Sequence, residues 1–314
     1  MRVIRAEVLG FCMGVRRAVE MALRVSEQAE PLQAEYLQAD YSAVYTLGPL
    51  IHNPGILQML KEREVICLEE GSDHYEETLR QLPQGSTVII RAHGVSPLVE
   101  KTFTEHGLKV LDATCPHVKA SQHKARFFSE KGYRIFLAGE ENHAEITGIR
   151  GYAEGTPYFV IGNPAATELA AAELYRNEPS AKTALIGQTT ISSEEYRVIG
   201  DEILRYFPKL EIINTICSAT AERQKALWEL CEKAEALVIA GGRESANTRR
   251  LLALAQNLGK PAWLVESAAG LPSEIWNYKT VGLSAGASTP DFLIDEIEEA
   301  LYFPVFSFAV VTDH

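Results

Sequence analysis

No C-x-x-C pair, no G-x-x-x-x-G-K-S/T loop and no G-x-G-x-x-G turn occurs in the 314 residues. The first absence argues against a zinc ribbon, the second against a P-loop nucleoside triphosphatase, the third against a direct nicotinamide site. Positive charge is scarce as well: 30 Lys and Arg stand against 42 Asp and Glu, a net charge of −12. A nucleic-acid binder needs a basic face for phosphates, so that class is disfavoured. A small anion pocket built from helix ends and neutral donors stays open. Long apolar runs are missing too. The most apolar stretch, "YFPVFSFAVV" near the C-terminus, falls far short of the roughly 20 residues a spanning helix needs, and is expected to pack back on the body as a tail. The opening "MRVIRAEVLGFC" carries a glutamate and no small-residue cleavage site, which predicts no signal peptide, no membrane and a cytoplasmic location. What remains, 46% hydrophobic and 23% charged, is an ordinary globular balance with core material for two or three domains, or for one assembly of subdomains.

Cysteine is sparse: Cys12, Cys67, Cys115, Cys217 and Cys231 are all there is. Three of them share a setting. "VIRAEVLGFCMGVRRAVEMA", "LKVLDATCPHVKASQHKA" and "LEIINTICSATAERQKALWEL" each read as an apolar strand, a cysteine at the turn and an amphipathic helix. The intervals, 115 − 12 = 103 and 217 − 115 = 102, mark an internal repeat. A second strand in each third ends in glycine, with a polar or imidazole residue four positions on: Gly48 and His52, Gly139 and His143, Gly241 and Ser245. The cysteine-to-glycine interval is 24 in the second and third units and 36 in the first, which predicts an insertion near residues 28–42. A third strand ends near His93, Thr189 or Ser288.

Each third therefore reads as strand–helix–strand–helix–strand, an α/β pattern that implies parallel sheets with ligands beyond the carboxyl strand ends. The divisions predicted are 14–114, 115–214 and 215–301, the last joined by strand 1–13, with a tail at 302–314. Three copies would bring three cysteines and their polar companions to one shared centre. Cys67 and Cys231 lack the corner setting and read as small buried hydrophobes. His74, His106, His117, His123 and His314 read as surface or satisfied histidines, and "EEGSDHYEE" as a solvated segment.

Three converging thiolates suit zinc or an iron–sulfur cluster, because both favour soft sulfur ligands. At a helix N-terminus the dipole is expected to lower the thiol pKa, and Pro116 after Cys115 fits a first helical turn. Three cysteines cannot complete the four-thiolate ligation of a [4Fe-4S] cluster, so one iron would be left open as a Lewis acid. His52, His93, Thr189, Ser245, Asn247 and Ser288 could donate hydrogen bonds to a phosphorylated ligand. Taken individually, Ser245, Asn247, Thr189 and Ser288 read as helix caps, a role compatible with phosphate binding at the same helix end. Glu145, two residues after His143, could deliver a proton to the same centre. A zinc hydrolase with Glu145 as base and a non-enzymatic iron–sulfur redox sensor are the rival readings.

"GFCMGVRRAV", "RAHGVSP", "DATCPHV", "NHAEITG", "QTT", "TICSATAERQ", "GGRESANTRR" and "SAGASTPD" appear in the order found in the 4-hydroxy-3-methylbut-2-enyl diphosphate reductases. The chain resembles that family over about residues 1–300. The resemblance implies a trefoil of three pseudo-threefold-related α/β subdomains around one [4Fe-4S] cluster held by Cys12, Cys115 and Cys217. It implies a diphosphate site at His52, His93, His143, Ser245, Asn247 and Ser288, with Glu145 as proton-relay acid and Thr189 beside the substrate hydroxyl. The implied reaction is a two-electron reductive dehydroxylation on the open iron. It yields isopentenyl and dimethylallyl diphosphate, with ferredoxin or flavodoxin as electron donor. Ala144 stands where many members have proline, which predicts a slightly looser loop and unchanged chemistry. Ala246 stands where a second serine is common, which predicts weaker substrate affinity.

Overall fold

Among the described residues of the computed structural model, twelve short strands, nearly all followed by a helix, build three four-stranded sheets, and every strand pairing is parallel. The structure describes residues 1–28, 43–68, 78 and 81–303. The predicted insertion, the "EEGSDHYEE" segment and the apolar tail lie largely or wholly outside the described residues. No described helix is long and apolar enough to cross a membrane. The chain forms two compact units, one of residues 12–221 and one of residues 1–11 with the chain from Glu222 on.

The larger unit holds two sheets. In one, β2 (Val44–Leu47), β3 (Ile66–Leu68), β4 (Thr87–Ile90) and β5 (Lys109–Asp112) run in the order β3-β2-β4-β5. In the other, β6 (Arg134–Ala138), β7 (Tyr158–Ile161), β8 (Thr183–Gly187) and β9 (Glu211–Ile213) run in the order β7-β6-β8-β9. The smaller unit's sheet has β10 (Ala236–Ala240), β11 (Ala262–Val265), β12 (Thr280–Ala285) and β1 (Arg2–Arg5) in the order β11-β10-β12-β1. The same topology occurs three times, with the N-terminal strand completing the last copy.

The central strands are apolar on both faces because helices cover both. Ile135 and Leu137 of β6 pack into one core with Phe128 and Ile149, while Phe136 and Ala138 pack into another with Tyr196 and Ile199. Val238 and Ile239 of β10 divide in the same way between two cores. This is why these strands read as continuous apolar runs rather than alternating ones. Each buried Ile, Leu or Phe contributes about 1.5–3 kcal/mol against exposure.

In each sheet the chain steps outward from its first central strand, then returns to the other side of it. The switch points therefore fall between β2 and β4, β6 and β8, and β10 and β12. Those are the positions where open α/β sheets leave a crevice beyond the strand ends. Cys67 departs from expectation. It lies on edge strand β3 and is exposed, whereas Cys231 is buried as predicted.

Candidate active site

Each of the three repeated cysteines opens a helix. The Cys12 carbonyl accepts from Arg16 N at the start of α1 (Met13–Gln28), and the Cys115 carbonyl accepts from Lys119 N, both at 2.9 Å. The Cys217 carbonyl accepts from Ala221 N at 3.1 Å at the start of a helix over Ser218–Lys233. Cys115 is the N-cap of Pro116–Glu130, with proline in the first turn where no amide bond is lost. The corners are also tied to the crevices. Cys115 N donates to the Ala92 carbonyl at 2.9 Å, beside His93, and Cys217 N donates to the Thr189 carbonyl at 3.0 Å. Arg17 of α1 donates to the Asp112 and Thr114 carbonyls, both at 3.1 Å, which fastens the Cys12 helix to the Cys115 corner. Asp112 holds that corner from within, accepting from Thr114 N at 2.9 Å while pairing with Lys119.

Both Cys12 and Cys217 act electrostatically on Cys115, so the three sulfurs share a locale. The expected lowering of the thiol pKa is corrected here: burial pushes the Cys115 thiol up. The amides of His117 and Val118 oppose this, and the neighbouring Cys12 and Cys217 add to the rise. The helix end does pull in the predicted direction, but burial and like charge outweigh it. Among the described residues, the three thiols are not drawn within 4.8 Å of one another as the three imidazoles are.

Gly14 lies against this corner. A Cβ there would stand 2.6 Å from Cys115 Sγ and 3.1 Å from its Cβ. Gly14→Ala should raise helix propensity by about 1 kcal/mol yet displace the sulfur. The expected outcome is an unchanged or higher melting temperature with iron and sulfide per chain reduced to less than half, measured on anaerobically purified protein.

The imidazoles meet at the ends of β2, β4 and β6. His52 and His93 have ring centroids 4.9 Å apart, His93 and His143 5.1 Å, and His52 and His143 6.2 Å. His93 is held well below the usual imidazole range by burial first, then by His143, His52 and Arg91. Its Nδ1 is buried with no hydrogen-bond partner. His143 caps a helix over Ala144–Tyr152 by accepting from Glu145 N through Nδ1 at 3.2 Å, which leaves its proton on Nε2. Ala144 is the first residue of that helix, a position proline also accepts.

Glu145 is 1% exposed, and both of its carboxyl oxygens meet Thr189. Oε1 accepts from Thr189 N at 2.7 Å, and Oε2 is paired with Thr189 Oγ1 at 2.9 Å. Gln188, the first residue of the QTT run, braces the same crevice. It accepts from Glu140 N and donates to Thr190 Oγ1, both at 3.0 Å.

In the smaller unit, Ser245 caps a helix over Ala246–Asn257 by accepting from Thr248 N at 3.3 Å. Asn247 is buried with its Nδ2 unpartnered, and the buried Ser288 lies just past β12. The structure brings Cys12, Cys115, Cys217, His52, His93, His143, Glu145 and Thr189 into one unit and places Ser245, Asn247 and Ser288 in the other. Buried donors without partners also include Asn53 Nδ2, beside His52. A buried amide left unmet costs about 1–3 kcal/mol, so these atoms are free to meet a ligand or water.

A family model described as LytB protein matches residues 3–302. A 4-hydroxy-3-methylbut-2-enyl diphosphate reductase of Treponema denticola is 42% identical over 302 residues, spanning 96% of this chain and 99% of its own. A protein of the same name from Aquifex aeolicus is 36% identical, over 95% of each chain. The solved E-1-hydroxy-2-methyl-but-2-enyl-4-diphosphate reductase of Plasmodium falciparum is 26% identical with a TM-score of 0.83, over 97% of this chain and 89% of that one. A second solved structure, titled (E)-4-hydroxy-3-methyl-but-2-enyl diphosphate reductase, the terminal enzyme of the non-mevalonate pathway, is 34% identical with a TM-score of 0.66, over 96% of this chain and 99% of that one.

Proposed function

The chain belongs to the LytB protein family, and from that membership we propose that it reduces 4-hydroxy-3-methylbut-2-enyl diphosphate at the end of the non-mevalonate route to isoprenoids. The observation that carries the reading is the buried Glu145–Thr189 pair, set on the loop whose Thr189 carbonyl is bonded to the Cys217 amide. A proton donor is thereby anchored to a cysteine corner. The overall change consumes two electrons and two protons. The allylic C–O bond breaks, one proton leaves with the oxygen as water, and the other ends on the allylic carbon of isopentenyl or dimethylallyl diphosphate.

Cys12, Cys115 and Cys217 are the residues that would hold a [4Fe-4S] cluster, which when bound supplies the electrons and a Lewis-acidic iron. His52, His93 and His143 receive the diphosphate, with Nε2–H of His143 as a donor and the unpartnered Nδ1 of His93 satisfied by the ligand or its water. Ser245, Asn247 and Ser288 are further diphosphate donors by residue type and strand-end placement. Glu145 holds the proton destined for the leaving oxygen, and Thr189 Oγ1 passes it on or orients it. A ferredoxin or flavodoxin delivers the electrons.

The test is anaerobic purification with iron and sulfide quantification, followed by turnover with the hydroxylated diphosphate and a reduced donor. Brown protein that bleaches with dithionite and turns over supports the reading. Colourless zinc protein favours the hydrolase, and a competent reconstituted cluster with no turnover favours the sensor.

Ala246, 3% exposed in the first turn after the Ser245 cap, gives a graded check on the diphosphate assignment. A neutral hydrogen bond is worth about 0.5–1.5 kcal/mol, or about twofold to tenfold in affinity. Ala246→Ser should lower KM and tighten diphosphate binding by that factor. Unchanged constants would count against diphosphate at this helix end.

A further inference from the structure

In two of the three sheets the first residue past the second central strand reaches into space left by the glycine past the first. A Cβ on Gly139 would stand 2.7 Å from both Cβ and Oε1 of Gln188, the residue that follows β8. In the sister sheet the residue that follows β4 is Arg91, and its guanidinium fills the matching place. A Cβ on Gly48 would lie 3.3 Å from Arg91 Cζ and closer still to Nη1, on a backbone already at φ +66°. Gln188 does its bracing as a neutral amide, through hydrogen bonds to Glu140 N and Thr190 Oγ1. The architecture of the slot therefore does not require a charge. Arg91 nevertheless puts a permanent one there, 4% exposed, at the switch point between the loops of His52 and His93.

We infer that Arg91 is the fixed cation of the diphosphate site, standing behind the imidazoles and setting affinity for a multiply charged anion. The inference rests on the assignment of the histidines to the diphosphate. Three imidazoles with centroids 4.9 to 6.2 Å apart make poor joint cations, since each added charge opposes the next. A guanidinium is a planar, delocalised cation whose N–H fork matches phosphate oxygens. Its influence on His93 is already visible as one of the causes that keep that imidazole neutral. His93, kept neutral, and His143, whose Nδ1 accepts, then supply directional hydrogen bonds, and Arg91 supplies the charge. Arg91 is a positioning and affinity residue here, and no proton transfer is assigned to it.

The sister slot supplies the test variant, Arg91→Gln, which installs the side chain the fold itself uses in that place. On anaerobically purified holoenzyme, calorimetric titration with inorganic diphosphate should show at least tenfold weaker binding than wild type. KM for the substrate should rise by a similar factor while kcat falls less, with iron per chain unchanged. Arg91→Lys should recover most of the affinity. Inorganic phosphate, which carries less charge, should lose less than diphosphate does. A purely structural role would weaken both ligands equally and would not be rescued by lysine. Either that pattern, or diphosphate binding within twofold of wild type in Arg91→Gln, overturns the inference. His93→Ala separates the two assignments. If it loses diphosphate while Arg91→Gln keeps it, Arg91 alone is misassigned. If it binds normally, the histidine assignment itself is wrong.

Discussion

Glu145→Gln should leave a brown, folded protein that binds substrate and hardly turns it over. The geometry dictates why. Thr189 N points at Oε1 and can only donate, so the amide oxygen must take that place. The amide NH2 then faces Thr189 Oγ1 and reverses the bond that Oε2 makes there now. The hydrogen-bond count is preserved, so the fold and the anchored Cys217 amide should survive, but the group no longer carries a transferable proton. Losing a placed general acid costs about 10²–10⁴ in rate. Single-turnover reduction of substrate by prereduced enzyme should fall by that factor, with KM changed little. Thr189→Val should fall less, since Oε1 keeps its bond to the backbone. Turnover of Glu145→Gln within threefold of wild type would remove Glu145 from the proton path.

Much of this site was legible because its parts are local. Each cysteine corner is a strand end, a cap and a first turn within about a dozen residues, and the spacing of the three corners exposes the repeat. His52, His143 and Ser245 stand four residues past a strand-end glycine, so the strand pattern finds them. What escaped notice depends on pairing across the chain. Edge strands β3, β7 and β11 are three or four residues long and partly exposed, so they show neither a long apolar run nor alternation. The Gly48–Arg91 and Gly139–Gln188 contacts join residues more than forty positions apart, which no window of periodicity spans. The raised Cys115 thiol is of the same kind, since burial and sulfurs about a hundred residues away outweigh the helix end that the sequence displays. A thiol that resists ionising alone is still a good ligand, because metal binding displaces the proton and takes up the charge.

Cys115→Ser and Cys231→Ser should separate metal binding from folding. At position 115 serine keeps the size of the side chain, retains the amide bond to Ala92, and is a better helix N-cap than cysteine. The melting temperature of the metal-free protein should therefore hold or rise slightly. A hydroxyl is a poor replacement for a thiolate at soft iron, so iron and sulfide per chain should fall by more than 90% in anaerobic preparations, and turnover with them. Cys231 is 3% exposed, packed with Leu227, Leu230 and Leu237. Serine there buries a hydroxyl among aliphatic groups, which costs about 1–3 kcal/mol when no partner is found. Its melting temperature should drop by several degrees while iron, sulfide and specific activity of the folded fraction stay at wild-type values. If Cys115→Ser kept its iron, the cluster would need another third ligand. The exposed Cys67 on β3 and the buried Cys231 are the other thiols of the chain, so the double variants Cys115→Ser/Cys67→Ser and Cys115→Ser/Cys231→Ser would identify it.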